Sequence, residues 1–296
     1  MKTRIGYAGG GRRRDEPATS PAALIDGLER IGFDSLWCSE RMTGPIADPM
    51  VLLAYAAGRT SRIKLGTSVQ VLPGRNPVHL AKEWATLDLV SNGRALPAFG
   101  LGAADPHEHQ AFGVTRGERA KWFEEALPLI RRLWSEPSVD HDGARFHYEG
   151  VSIGTLPKQP LDVWLGGRAP VELRRVGRLA DGWLPSFCTP EQVARDRELV
   201  DETAAEAGRE IDPEHFGAMV FYSRTTLVDA QVLALEARRG PGAADVVVVG
   251  LDALRDRLEA FIAVGFTKLV PVPMHEIASW DDELEAVGAA VLDLQN

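Results

Sequence analysis

The chain has 296 residues, is 45% hydrophobic and carries a formal net charge of −9. That suffices for a full apolar core, and the acidic balance argues against general binding to nucleic acid or membrane surfaces. No apolar run reaches the roughly 20 residues that span a bilayer, and two cysteines, Cys38 and Cys188, are too few for a disulfide scaffold or a Cys-rich metal site.

In chain order, Arg4 to Ala8 reads as a first strand ending in Gly9-Gly10-Gly11. Ser20-Pro21 starts a helix that carries Leu24, Leu28 and Ile31 and stops at Gly32. Ser35 to Cys38 is a second strand and Pro49 to Arg59 the next helix. Leu65 to Leu72 is β-branched and apolar enough for a buried strand. Asn76-Pro77 opens a helix with Leu80, Trp84, Leu87 and Val90 at helical spacing; Asn92-Gly93 ends it, and Ala95 to Phe99 is a further strand. Glu118 to Trp134 is a long amphipathic helix. Residues 137–160 break the rhythm, and Asp142-Gly143 between alternating segments signals a surface hairpin. Alternation resumes with strands at Val163 to Leu165, Gly182 to Pro185, His215 to Tyr222 and Thr267 to Val272. Helices interleave at Pro170 to Leu179, Pro190 to Ala207, Leu251 to Val264 and Asp281 to Leu294. Asp229 to Arg239 is an extra helix, and Asp245 to Val249 reads as strand or entry segment.

Eight β/α units in one domain, 1–296, fit a (β/α)8 TIM barrel with insertions. A doubly wound open sheet wants a G-x-G-x-x-G turn opening its first helix, and Gly9-Gly10-Gly11 leads into Arg12-Arg13-Arg14 instead. A barrel's site lies on the loops after the strands, here including Ser39 to Asp48, Gly100 to Gly117, Gly166 to Ala169 and Ser223 to Thr226. The arginines notable on this face are Arg12, Arg13, Arg14, Arg41, Arg75, Arg168 and Arg224. They suit a polyanionic ligand, or are simply solvated. Gly166-Gly167-Arg168 runs from strand into helix, where two glycines permit close backbone approach and free amides attract an anion. Glu40-Arg41 is a candidate for proton transfer or for binding a polar ring, or is a local ion pair. His107, Glu108 and His109 lack a third ligand at metal spacing, so no metal is expected. MKTRIGYAGGG has no long apolar stretch behind its basic residues, so it does not read as a secretory signal and the expected location is cytoplasmic.

GFDSLWCSER, the run from Asp48 to Arg94, FGLG and QPLDVWLGGRAPVELRRVGRLADGWLP, in this order, resemble the luciferase-like monooxygenase superfamily, and within it the oxidoreductases that use coenzyme F420. The resemblance implies a TIM barrel, a deazaflavin cofactor with a phosphate and an oligoglutamate tail, and hydride transfer with a small organic substrate. Flavin mononucleotide (FMN) with reduced flavin and O2 is the alternative, and a flavin-binding protein without turnover is another. Cofactor contacts are implied for Ser68, Val69, Gly102, Gly166, Gly167 and Arg168. Ser68-Val69 matches the place where relatives carry a cis peptide behind the ring, and Gly166 to Arg168 the turn holding the cofactor phosphate. Glu40 and Arg41 match a ring-facing catalytic pair, although Arg41 stands where relatives often have His and cannot act as a neutral base. Some relatives that oxidise sugar phosphates place an acid directly after G-x-G. Ala103 and Ala104 stand there, which argues against that substrate. Pairing through the helices at 49–59 and 77–91 is implied, hence a homodimer.

Overall fold

Short polar caps followed by proline start five of the ten α-helices among the described residues. Ser20 accepts from the Ala23 amide and Pro21 opens helix α1 (Pro21–Ile31), which Gly32 ends in the left-handed region at φ 107°. Asp48-Pro49 begins α2 (Pro49–Arg59), and Asn76-Pro77 begins α3 (Pro77–Ser91), whose C-cap Asn92 lies at φ 58°. A computed structural model of the chain describes residues 1–9 and 19–296, so the Arg12–Arg14 run lies outside the described residues.

The strands before these helices are short. They are β1 (Arg4–Ile5), β2 (Tyr7–Ala8), β3 (Ser35–Cys38), β4 (Lys64–Thr67) and β5 (Gln70–Val71). After α3 come β6 (Ala95–Leu96) and β7 (Ala98–Gly100), then α4 (Pro106–Ala111) and α5 (Arg119–Ser135). The hairpin signalled by Asp142-Gly143 forms as antiparallel β8 (Val139–Asp142) and β9 (His147–Val151). The chain continues through β10 (Trp164–Leu165), α6 (Pro170–Leu179), β11 (Gly182–Trp183), α7 (Pro190–Glu206) and β12 (Gly217–Ser223). It ends with α8 (Asp229–Arg239), β13 (Val248–Val249), α9 (Leu251–Ala263), β14 (Lys268–Pro273) and α10 (Trp280–Val291).

Parallel pairing runs in a ring. From β2 it passes through β3, β4 and β6, and β5 pairs with β7, which continues the β6 segment. From β7 it passes to β10 and β11. A Trp183–Phe216 bridge and the Met219 amide bonded to the Pro185 carbonyl at 3.0 Å join β11 to β12. From β12 it returns through β14 to β1. This is the TIM-type barrel that the sequence predicts.

Two expectations are corrected. The strand expected as one piece from Leu65 to Leu72 divides, so that β4 pairs with β6 and β5 with β7. The loop expected over residues 100–117 contains α4, one turn and a half that starts at an Asp105 cap.

Side-chain alternation sorts the core into two layers. Along β12, Ala218, Val220 and Tyr222 face the helices. Met219 and Phe221 instead join an inner cluster with Trp37, Leu96, Ala98, Trp164, Leu184 and Val270. Trp37 and Trp164 meet edge to face with centroids 6.2 Å apart. Glycines make room for them: a Cβ on Gly66 would lie 2.6 Å from the Trp37 ring, and one on Gly182 would lie 2.5 Å from the Trp164 ring. The lumen is therefore solid below the level of β5 and β7, and open chemistry is confined to the mouth.

Candidate active site

The division between β4 and β5 is the first feature of the mouth. The Ser68–Val69 peptide there is cis. Val69 packs on the rim of the inner cluster, over two positions without side chains. A Cβ on Gly100 would lie 2.4 Å from Val69 Cγ2, and one on Gly166 would lie 3.3 Å from Val69 Cγ1. Gly102 takes the left-handed φ of 80° beside Val71. The Ser39 hydroxyl donates to the Ser68 carbonyl at 3.1 Å and meets the Ser68 hydroxyl at 3.2 Å. Glycine clearance around one aliphatic side chain makes a shelf that a flat ring can lie on. The shelf fits the ring of a flavin or deazaflavin.

Beneath the shelf lies Glu40, buried to 7% exposure. It accepts from the Val71 amide at 2.7 Å and from the Arg75 guanidinium, which also reaches the Val71 carbonyl at 2.9 Å. Burial pushes the Glu40 carboxyl above the usual range, and Arg75 and the Val71 amide oppose that. Arg41 turns the other way, to Asp105 at 3.2 Å and Glu108 at 3.3 Å. Glu108 is buried and also accepts from the Thr43 and Met42 amides and the Thr43 hydroxyl. Burial opposes its ionisation, yet Thr43, Met42 and Arg41 hold its carboxyl below the usual range. Neighbours in sequence, Glu40 and Arg41 turn to different partners, Glu40 to Arg75 and Arg41 to Asp105 and Glu108.

The turn at Gly166 to Arg168 also differs from the expected anion cradle. The amides of Arg168 and Ala169 both donate to Glu172, at 3.0 and 2.9 Å. A Cβ on Gly167, which has φ 96°, would lie 2.7 Å from that carboxylate. The helix therefore caps itself. The Arg168 side chain bonds to Asp196 at 2.7–2.8 Å and to Gln192 at 3.1 Å. As held here, the turn fits a cofactor phosphate less well than the shelf fits a ring.

Three features escaped the sequence reading. Arg119, buried at the start of α5, spans the carbonyls of Leu101, Gly102 and Ala103 at 3.0–3.1 Å and so fixes the glycine loop. Phe187 takes the left-handed φ of 52° and stacks on Phe221 with centroids 3.9 Å apart. The Arg239 guanidinium lies over the Phe187 ring, 4.6 Å from its centroid. Behind the mouth, Tyr7 and Tyr222 share a hydrogen bond of 2.7 Å, and Tyr222 donates to Glu283. Glu283 also meets Arg224 at 3.2 Å and His275 at 3.3 Å. The second and third features join residues far apart in sequence, and no local pattern marks them. Among the described residues no group of three His, Cys, Asp or Glu side chains is arranged to hold a metal ion. Among them, too, no helix is long and apolar enough to cross a membrane.

Residues 3–260 match the family described as luciferase-like monooxygenase. The chain belongs to that family. A relative from Kineococcus radiotolerans, an F420-dependent glucose-6-phosphate dehydrogenase, is 32% identical over 64% of this chain and 58% of its own length. The chain thus spans less than two thirds of that relative. A solved F420-dependent secondary alcohol dehydrogenase, in complex with an F420-acetone adduct, superposes over the whole of both chains with a TM-score of 0.82 at 19% identity. The oxygenating constituent of 3,6-diketocamphane monooxygenase from Pseudomonas putida, in complex with FMN, superposes with a TM-score of 0.75 at 17% identity, over 100% of this chain and 99% of its own. These likenesses establish the luciferase-like barrel as the fold.

Proposed function

We propose that the protein is a coenzyme F420-dependent oxidoreductase that passes a hydride between the deazaflavin and a small organic substrate. The observation that carries this reading is the Val69 shelf, cleared by Gly100 and Gly166 at the mouth of a filled barrel. The name of the Kineococcus radiotolerans relative supports the deazaflavin. When bound, the cofactor supplies the two-electron chemistry, and the chain orients it and excludes water. Val69 supports the ring, Glu40 and Arg75 brace the backbone that carries Val69, and Arg119 holds the loop at Gly102. In this reading Glu40 is a positioning residue.

An FMN-dependent monooxygenase is the second reading, supported by the FMN complex of similar fold. A flavin-binding protein without turnover is the third. It is supported by the commitment of both candidate catalytic residues, Glu40 and Arg41, to ion pairs. Titration of the purified protein with oxidised F420 and with FMN, followed by fluorescence, separates them. Micromolar or tighter F420 binding, with turnover on a panel of alcohols, enones and imines, is expected. Binding of FMN alone would sink the first reading, and F420 binding without turnover across the panel would favour the third.

We also read the outer face of α2 and α3 as a dimer contact. Val51, Tyr55, Leu89 and Val90 are large apolar side chains left exposed on these two helices, which pack together. Sedimentation should give twice the 32.2 kDa of one chain, and a V51E/L89E variant should sediment as one chain. A monomeric wild type at tens of micromolar would refute the contact.

A further inference from the structure

Of the loop arginines that suit an anionic ligand, the four among the described residues are committed within the fold. Arg41 is paired with Asp105 and Glu108, Arg75 with Glu40, Arg168 with Asp196 and Arg224 with Glu283. The amides of the Gly167 turn serve Glu172. Arg239, on the insertion after β12, differs from these four arginines. Arg239 has no carboxylate partner and no hydrogen bond among the described residues, and the charges that act on it, Arg41 and Arg238, share its sign.

Its position follows from the insertion between β12 and β13. Leu235 of α8, with Ala243 and Val247 beyond it, joins the inner cluster of Trp37 and Phe221. The insertion therefore lies across the top of the barrel, and its last helical residue, Arg239, lands on Phe187. Favourable charge at a helix C-terminus accounts for a cation in the last turn. It does not account for this seat, since Arg238 has the same helix end without it. A guanidinium whose face rests on an aromatic ring keeps its edge donors available, and those donors match the two oxygens of a carboxylate or phosphate. Arg239 is exposed to solvent, so an anion arriving at the mouth can reach it, and its guanidinium stays charged. With no carboxylate of its own, a guanidinium seated on an aromatic ring is a place for an external anion.

We infer that Arg239, seated on Phe187, is an anion-recognition residue of the mouth, binding a carboxylate or phosphate group of the molecule that the site takes. The inference rests on reading the mouth as a ligand site. The anion belongs to the organic substrate or to the phosphate and glutamate tail of the cofactor, and one set of titrations distinguishes these.

Inorganic phosphate is titrated calorimetrically into the cofactor-free wild type, Arg239→Gln and Arg239→Lys at constant ionic strength, with circular dichroism to verify folding. F420 and the deazaflavin riboside, which lacks phosphate and glutamate, are titrated by fluorescence into the same proteins. Arg239→Gln is expected to weaken phosphate or F420 about tenfold, and Arg239→Lys to recover part of the loss. Weaker F420 with unchanged riboside assigns the anion to the cofactor tail. Weaker phosphate with unchanged F420 assigns it to the substrate. Arg239→Gln that binds both phosphate and F420 as the wild type does, including a wild type that binds no phosphate, overturns the inference. If neither F420 nor FMN binds the wild type, the cofactor reading fails, while the phosphate arm still decides on Arg239.

Discussion

Glu40→Ala is expected to lower the free energy of unfolding by about 3–5 kcal/mol, the range for removing one partner of a buried ion pair. The substitution leaves the Arg75 guanidinium without its carboxylate and the Val71 amide without an acceptor. Both losses fall on the backbone that carries Val69, so F420 affinity should drop with stability. Glu40→Gln keeps an acceptor for the Val71 amide and should cost about 1–3 kcal/mol. Urea unfolding with linear extrapolation measures the difference. The opposite pattern, normal stability in Glu40→Ala with turnover abolished and cofactor binding intact, would return Glu40 to a ring-facing acid–base role.

Gly100→Ala tests the shelf itself. The new methyl would lie 2.4 Å from Val69 Cγ2, and the backbone of Gly100 has little freedom because Val71 of β5 pairs with it. Val69 must give way. The expected cost is about 1–3 kcal/mol in stability, typical of overpacking, and a loss of F420 affinity of at least about tenfold. Gly166→Ala, where the same contact is 3.3 Å, should be milder. Adding Val69→Ala to Gly100→Ala removes the clash and should recover stability without recovering affinity, a non-additivity that marks direct contact. A Gly100→Ala protein that binds F420 normally would show that the ring lies elsewhere.

Much of the fold was legible because its punctuation is local. Ser20-Pro21, Asp48-Pro49 and Asn76-Pro77 each set a side-chain cap beside a proline, and the helices begin there. The strand Ser35–Cys38 and the helices Pro49–Arg59, Pro170–Leu179 and Asp229–Arg239 occupy the spans that composition and periodicity indicate. The division at Ser68–Val69 is a different case. Leu65 to Leu72 is an unbroken run of strand-forming residues, and only the family resemblance pointed to a feature inside it. Helix α4 is too short for a period to show. The site's charges were legible as residue types but not as partnerships. Arg41 finds its carboxylates 64 and 67 positions away, Arg224 finds Glu283 59 positions away, and folding alone joins them. The sequence therefore suggested a mouth rich in available arginine, whereas the structure spends four of those arginines internally.

The tryptophan-filled lumen has a kinetic corollary. With Trp37 and Trp164 seated against Gly66 and Gly182, nothing of ligand size passes through the barrel from below. Ligands of the mouth then share one doorway, and of two that stack there the deeper has to enter first and leave last. If a ring lies on the Val69 shelf as proposed, whatever it reacts with covers it, and binding order follows from the architecture.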